Sequence, residues 1–343
     1  MSARVEGHWV AAFVDVLQRC GVRKGDSCAV LAESQSRPVL PQLAVLALEQ
    51  IGARYFNLTL ATPAPSAPVP VRSTGASAAL TGQPAVVQAL ACCTLVVDCS
   101  VEGLQHAAEL AQILAGGARV LVVSNEHPEI LVRCLPQAED EGQVRDAMRQ
   151  LKVARRMQVS SAAGTDLTID LGGARAGGVW GFTTKPGTLA HWPGGLVLAF
   201  PAVGCVNGTL VLDRGDVNLT FKRYLQDAVR LAIADDHVIE VIGDSPDAEL
   251  MRGHLAAWGT REAYAVSHVG WGLNRRARWD SMAFYDKSDL NGTELRAFAG
   301  NFLYSTGANE VAGRHTLAHF DLPLRACTVE LDGVAVVRGG VLV

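Results

Sequence analysis

Between residues 27 and 123 the chain repeats one unit: a short, largely apolar run followed by a helical stretch that glycine closes. Apolar runs predict strands at 27–32, 55–60, 94–97 and 119–123. The spacing of apolar positions predicts helices at 8–20, 38–51, 85–91 and 102–114. In the first of these, Trp9, Val10, Phe13, Val16 and Leu17 share one face, and Gly21 stops it. Strands without a polar face must be covered on both sides. Alternating β and α patterns with such strands therefore predict a doubly wound, mostly parallel sheet. No Gly-x-Gly-x-x-Gly follows the first strand, so the dinucleotide fingerprint is missing. Residues 63–70, with four prolines, read as a stiff extended linker inside this part.

The pattern changes after about residue 155. Strand-like runs at 166–171, 196–200, 209–212, 217–221 and 238–242 are separated by glycine-rich turns, with helices expected at 222–232, 246–258 and 293–304. Residues 327–331 and 334–337 flank Asp332 and Gly333, a hairpin turn signal. The expected fold class is α/β: a doubly wound domain over residues 1–155, then a β-rich α+β domain over residues 156–343. At 343 residues the chain suits two cores.

Apolar residues make up 49% of the chain and charged residues 19%, so a packed globular protein is expected. The net charge of −4 and the lack of a basic stripe with interleaved aromatics argue against nucleic-acid binding. Arg275, Arg276 and Arg278 form the one basic knot, read as a solvated turn. None of the eight cysteines forms a Cys-x-x-Cys pair, and they are expected as buried free thiols in a cytoplasmic protein. Neither a signal-peptide core nor a run of about 18 apolar residues occurs, so no membrane span is expected.

Chemistry concentrates in a few histidine-bearing segments. In His315-Thr316-Leu317-Ala318-His319-Phe320-Asp321, a strand would point His319 and Asp321 the same way, about 7 Å apart at the backbone, with Phe320 and Leu322 facing a core. An imidazole and a carboxylate converging from one strand suit a divalent metal that takes mixed N and O ligands. His268 precedes the glycine-punctuated run Gly270-Trp271-Gly272-Leu273-Asn274, which places an imidazole at a strand end. His191 stands in the turn His191-Trp192-Pro193-Gly194-Gly195, and His106 at the start of an otherwise apolar helix. His315 shares strand parity with His319 and is expected to be exposed.

These segments resemble a family. Ala163-Gly164-Thr165-Asp166-Leu167-Thr168-Ile169-Asp170, the turn Phe182-Thr183-Thr184-Lys185-Pro186, the Gly270–Asn274 loop and His319-Phe320-Asp321 resemble the two-metal aminopeptidases of the thermophilic, leucyl-aminopeptidase type. The chain departs from them at two metal-binding glutamates. One is expected just before the Phe182–Pro186 turn, yet residues 171–212 contain no Asp or Glu; the other is expected where His268 stands. Losing two carboxylates removes the bridging oxygens that hold two cations ~3.5–4 Å apart. Two histidines and one aspartate remain, the ligand set typical of non-haem Fe(II) oxygenases.

A branch of that superfamily is closer still. Glu33-Ser34-Gln35-Ser36-Arg37, His191-Trp192-Pro193-Gly194-Gly195, His268, Ser305-Thr306-Gly307-Ala308-Asn309 and His319-Phe320-Asp321 are similar to the 2,5-dihydroxypyridine 5,6-dioxygenases of nicotinic acid breakdown. The resemblance implies a homo-oligomer with one Fe(II) on His268, His319 and Asp321. It also implies a small aromatic substrate and O₂, both oxygen atoms entering across the C5–C6 bond to give N-formylmaleamate. His106 and His191 are candidates for acid–base work, because a free imidazole titrates near pH ~6.5. Ser305 is a candidate for hydrogen-bonding the substrate from a turn after a helix. Two other readings fit the same fold: a one-metal hydrolase of a peptide or amide, and a non-catalytic binding protein using the cleft between domains.

Overall fold

The computed structural model describes residues 4–65, 67, 69, 76–123 and 125–343. The first part runs α1 (Gly7–Arg19), β1 (Ser27–Glu33), α2 (Val39–Ile51), β2 (Arg54–Leu60), α3 (Pro84–Ala91), β3 (Leu95–Cys99), α4 (Leu110–Ala115), β4 (Arg119–Val122), α5 (Pro128–Arg133) and α6 (Ala138–Val153). Strands β5 (Arg156–Ser161), β6 (Asp166–Asp170), β7 (Arg175–Val179), β8 (Leu189–His191), β9 (Leu196–Phe200), β10 (Val206–Leu212), β11 (Val217–Asn218), β12 (Arg223–Tyr224), β13 (Val229–Ala234) and β14 (His237–Ile242) follow. The chain ends with α7 (Pro246–Ala257), β15 (Val266–Gly272), α8 (Thr293–Ala297), β16 (Phe302–Asn309), β17 (Arg314–Leu324), β18 (Cys327–Leu331), β19 (Val334–Arg338) and β20 (Val341–Leu342).

The parallel sheet has the order β2-β1-β3-β4-β8. Side-chain parity shows that it is wound on both faces. Cys28, Val30, Leu95, Val97 and Leu121 pack with α1 and α2, while Ala29, Leu31, Val96, Val120 and Val122 pack with residues of α3 and α4. The last strand, β8, comes from residues 189–191, so the later half of the chain completes the sheet of the first half. Two further sheets, β14-β13-β10-β6-β5-β18-β19-β20 and β17-β16-β15-β9-β7, share one core that includes Val159, Leu167, Val269, Trp271, Tyr304, Phe320 and Leu322. The fold is therefore the expected doubly wound α/β part followed by a β-rich part.

Four local expectations are corrected. Residues 102–109 form turns and only Leu110–Ala115 is helical, because Gly103 takes a positive φ of 80° and ends any helix there. Residues 222–232 form β12 and part of β13; the alternating burial of Val229, Leu231 and Ile233 shows a period of two. The helix expected at 293–304 stops at Ala297, and Gly300 (φ 86°) turns the chain into β16. Within 217–221 only Val217–Asn218 pairs as a strand. The 63–70 linker lies partly outside the described residues. All eight cysteines are unpaired; Cys92 is exposed and Cys205 half-buried, and the other six are buried.

Candidate metal centre

Strands β15, β16 and β17 are neighbours, and their register places His268 opposite Ser305 and Ser305 opposite Asp321. His319, two residues before Asp321 on β17, faces the same side and pairs with Gly307. Phe320 and Leu322 point the other way, into the core. The backbone ladder thus brings three side chains from residues 268, 319 and 321 onto one face without any loop to position them.

His268, His319 and Asp321 are all buried, and one ligand atom from each lies within 4.8 Å of the others. His319 Nε2 is 3.1 Å from Asp321 Oδ1 and His268 Nε2 is 3.6 Å from it. The two imidazoles stack with ring centroids 5.3 Å apart. Ligands at right angles on one ion at ~2.1 Å stand ~3 Å apart, so the donor spacing fits a single divalent cation after small shifts. The other carboxylate oxygen, Oδ2, accepts a hydrogen bond from Arg296 Nε. Ser305 Oγ, buried beneath, donates to Asp321 Oδ1 and lies 3.0 Å from His268 Nε2.

The protonation pattern suits metal binding. Burial lowers the His268 pKa to about 3 despite the opposing pull of Asp321, so the ring is neutral at pH 7. Ser267 offers an acceptor to a proton on Nδ1. The Ser267 hydroxyl donates to the Ala308 carbonyl oxygen at 2.5 Å, so toward His268 Nδ1, 3.2 Å away, it is an acceptor. The Ser305 hydroxyl, spent on Asp321, can likewise accept from Nε2; a cation bound at Nε2 would take the place of that proton and leave the ring's single proton on Nδ1, facing Ser267. Burial pushes the Asp321 carboxyl up, but the His319 ring and the Arg296 guanidinium outweigh it and hold the group well below the usual range. His319 Nδ1 is buried without a partner.

The triad opens into a cavity of about 80 Å³ whose wall also includes His106, His191, Leu196, Leu198, Arg296 and Leu303. One water needs ~10–15 Å³, so the space suits a molecule of several heavy atoms, the size of a small substituted ring. The His106 ring lies 4.8 Å from that of His319. Both His106 and His191 have a buried Nε2 without a partner. Burial lowers the His191 pKa to about 4; burial, then the His319 and His268 rings, drives that of His106 well down.

Five of the six expected site residues therefore meet around one cavity. Their settings differ in detail from expectation: His106 sits on a turn, and His191 ends β8. Ser305 stands in β16, not after a helix, and supports the triad from below; it is absent from the cavity wall. His315 is exposed as expected. Arg276 and Arg278 of the basic knot pair with Asp140 and Asp280, away from the cavity. Sequence reasoning missed Arg296 and Ser267. Arg296 lay in a stretch read as continuous helix, and a serine beside a histidine carries no signal until the strand places both.

Comparison with known proteins agrees with this geometry. The family model for 2,5-dihydroxypyridine 5,6-dioxygenase matches residues 8–343. The chain is 38% identical over 334 residues to a 2,5-dihydroxypyridine 5,6-dioxygenase of Pseudomonas putida KT2440, covering 96% of this chain and 94% of that protein. The solved structure of 2,5-dihydroxypyridine dioxygenase from Pseudomonas putida KT2440 superposes with a TM-score of 0.92 at 36% identity, over 99% and 98% of the two chains. AmpT from Thermus thermophilus covers 98% of this chain and 99% of its own with a TM-score of 0.67; at 15% identity it shows a shared fold alone.

Proposed function

The chain belongs to the 2,5-dihydroxypyridine 5,6-dioxygenase family, and on that footing we propose that it opens the ring of 2,5-dihydroxypyridine with O₂ on a ferrous ion held by His268, His319 and Asp321. The observation that carries the reading is the in-register row His268, Ser305, Asp321, with His319 beside it, at the floor of a ring-sized cavity. Two imidazoles and one carboxylate with positions left open are the ligand set of non-haem Fe(II) oxygenases. Ring and O₂ together account for every atom of N-formylmaleamate: the C5–C6 bond breaks and both oxygens are retained.

Bound there, Fe(II) would supply the redox chemistry that ground-state O₂ needs to react with a closed-shell ring. The remaining work falls to the protein. Leu196, Leu198 and Leu303 line the cavity with apolar surface, which holds the flat ring and keeps water out. His106 and His191 enter the reaction as neutral bases, each with a free Nε2. Either accepts a ring hydroxyl proton at Nε2 as substrate binds and returns it to the opened product. Arg296 holds Asp321 Oδ2, leaving Oδ1 directed at the two imidazoles.

We also read the protein as a homo-oligomer that works in the cytoplasm on nicotinate breakdown; eight unpaired cysteines suit a reducing compartment. No helix of the described residues is long and apolar enough to cross a membrane. The deciding experiment is O₂ uptake by anaerobically Fe(II)-loaded protein given 2,5-dihydroxypyridine, with the ring absorbance followed in parallel. One O₂ consumed per ring lost is the expected result. Tight iron without uptake would discard the substrate, and absence of bound iron would discard the site.

A further inference from the structure

In the parallel sheet, β1 is flanked by β2 on one side and β3 on the other. The chain leaves β1 for β2 and later crosses back to β3, so the carboxyl ends of β1 and β3 mark the topological switch point. In open α/β sheets ligands collect in the crevice there. Here residues 100–107, the turn segment that carries His106, are hydrogen-bonded at the end of β3, and a cavity of about 110 Å³ remains beside Glu33, Ser77 and Val101. Two buried carboxylates stand at the base of the crevice, Glu33 ending β1 and Asp98 near the end of β3.

Each carboxylate holds the segment by its backbone. Asp98 Oδ1 accepts from the Ser100 N–H at 2.9 Å and from the Ser100 hydroxyl at 2.5 Å; Oδ2 accepts from the Leu104 N–H at 2.7 Å. The Leu104 carbonyl in turn accepts from the Ala107 N–H at 3.0 Å, closing the turn on which His106 sits. Glu33 Oε1 accepts from the Ser77 hydroxyl at 2.5 Å, and Thr62 and the Val101 N–H also bond to its carboxylate. Ser77 ties the two ends together, since its own N–H donates 2.8 Å to the Gly103 carbonyl. Neither carboxylate lines the catalytic cavity. Buried charges are costly unless paired or hydrogen-bonded, and the hydrogen bonds that satisfy these two go largely to the segment that carries His106.

We propose that Glu33 and Asp98 are positioning residues for His106, using the ligand crevice of the parallel sheet to hang a proton-transfer group over the metal centre built on the other sheet. The inference rests on the role of His106 proposed above. It divides the site's construction in two: the triad is set by strand register in β15–β17, and the imidazole facing it is set by backbone hydrogen bonds to two acids from β1 and β3.

The test compares Asp98→Asn, His106→Ala and the double variant in the Fe(II)-loaded enzyme. An asparagine cannot accept from Ser100 and Leu104 together with both its side-chain atoms. D98N is expected to lower kcat ten- to a hundredfold, to leave Fe(II) affinity unchanged, and to speed amide hydrogen exchange across residues 100–107. The double variant should be no slower than H106A alone. If H106A slows turnover but D98N does not, if the two losses multiply, or if exchange is unchanged, the positioning is overturned. If H106A keeps full kcat, the role of His106 falls and takes this inference with it. Should D98N fail to fold, Glu33→Gln carries the same test with the same expected pattern.

Discussion

Ser305 faces Asp321 directly across the β16–β17 pair and donates its hydroxyl proton to that carboxylate's Oδ1, the oxygen at which both imidazoles are aimed. A hydrogen bond to a charged group contributes ~1.5–3 kcal/mol, and partners of metal ligands are worth ~10–100-fold in affinity or activity. Ser305→Ala should therefore weaken Fe(II) binding by about one to two orders of magnitude while the fold persists. Anaerobic Fe(II) titration measures this directly. Unchanged affinity with a raised KM would return Ser305 to the substrate-binding role first expected of it.

Removing a ligand is a larger change. His319→Ala or Asp321→Ala should abolish stoichiometric Fe(II) binding with the circular dichroism spectrum intact, because the strand ladder and not the triad holds β17 in place. D321A also leaves Arg296 facing the cavity without its partner, so some loss of thermal stability is expected beside the loss of metal. Iron bound at full stoichiometry in either variant would remove the site from consideration.

Ser267 acts on the metal centre through the Nδ1 side of His268. With Ser267→Ala, a proton on His268 Nδ1 loses its acceptor, so the tautomer that frees Nε2 for a cation is less favoured against the one that donates Nε2–H to Ser305. Fe(II) affinity should fall ~10–100-fold, and Ser267→Thr, which retains the hydroxyl, should recover most of it. Equal affinities in the alanine and threonine variants would show that packing, not the hydroxyl, sets the ring.

His191 separates binding from turnover. It ends β8 in the parallel sheet and pairs with Val122 of β4, outside the three strands that carry the triad. His191→Ala should keep iron and reduce kcat by ~10²–10⁴-fold, the range for a lost acid–base group. Loss of iron instead would place His191 among the ligands.

How far the site could be read ahead of the structure depends on how local its causes are. The His319–Asp321 pair was legible because a period of two needs only one strand. The pairing of that strand with Ser305 and His268 was not, since register is a long-range property. Glycine spacing gave a partial clue: at Gly270 a Cβ would run into the Val197 carbonyl oxygen, and at Gly272 into that of Phe298. Close backbone approach was thus encoded beside His268, but not its direction. The parallel strands were legible from apolar runs. The 222–232 segment was not, because Val229, Leu231 and Ile233 form too short an alternation to outweigh the helical spacing around it.

His254 offers a stability prediction away from catalysis. It is buried among Phe221, Trp258 and Phe320, and its Nδ1 has no partner. Burial lowers its pKa to about 4. In the unfolded chain the ring titrates near ~6.5, so between those values the unfolded state binds the extra proton. The stability tied to a neutral His254 is present above pH ~6.5 and is lost as pH falls toward 4. Between pH 7.5 and 5 that loss is ~2 kcal/mol. Glu126 has the opposite sense. Burial, then the neighbouring Glu294, raises its pKa to about 7, so its contribution fades as pH rises through 7. His254→Phe keeps a ring among the three aromatics and removes the titration. Urea unfolding at the two pH values should show the variant losing ~2 kcal/mol less than the unaltered protein; parallel losses would mean that His254 is not the group that acid must charge.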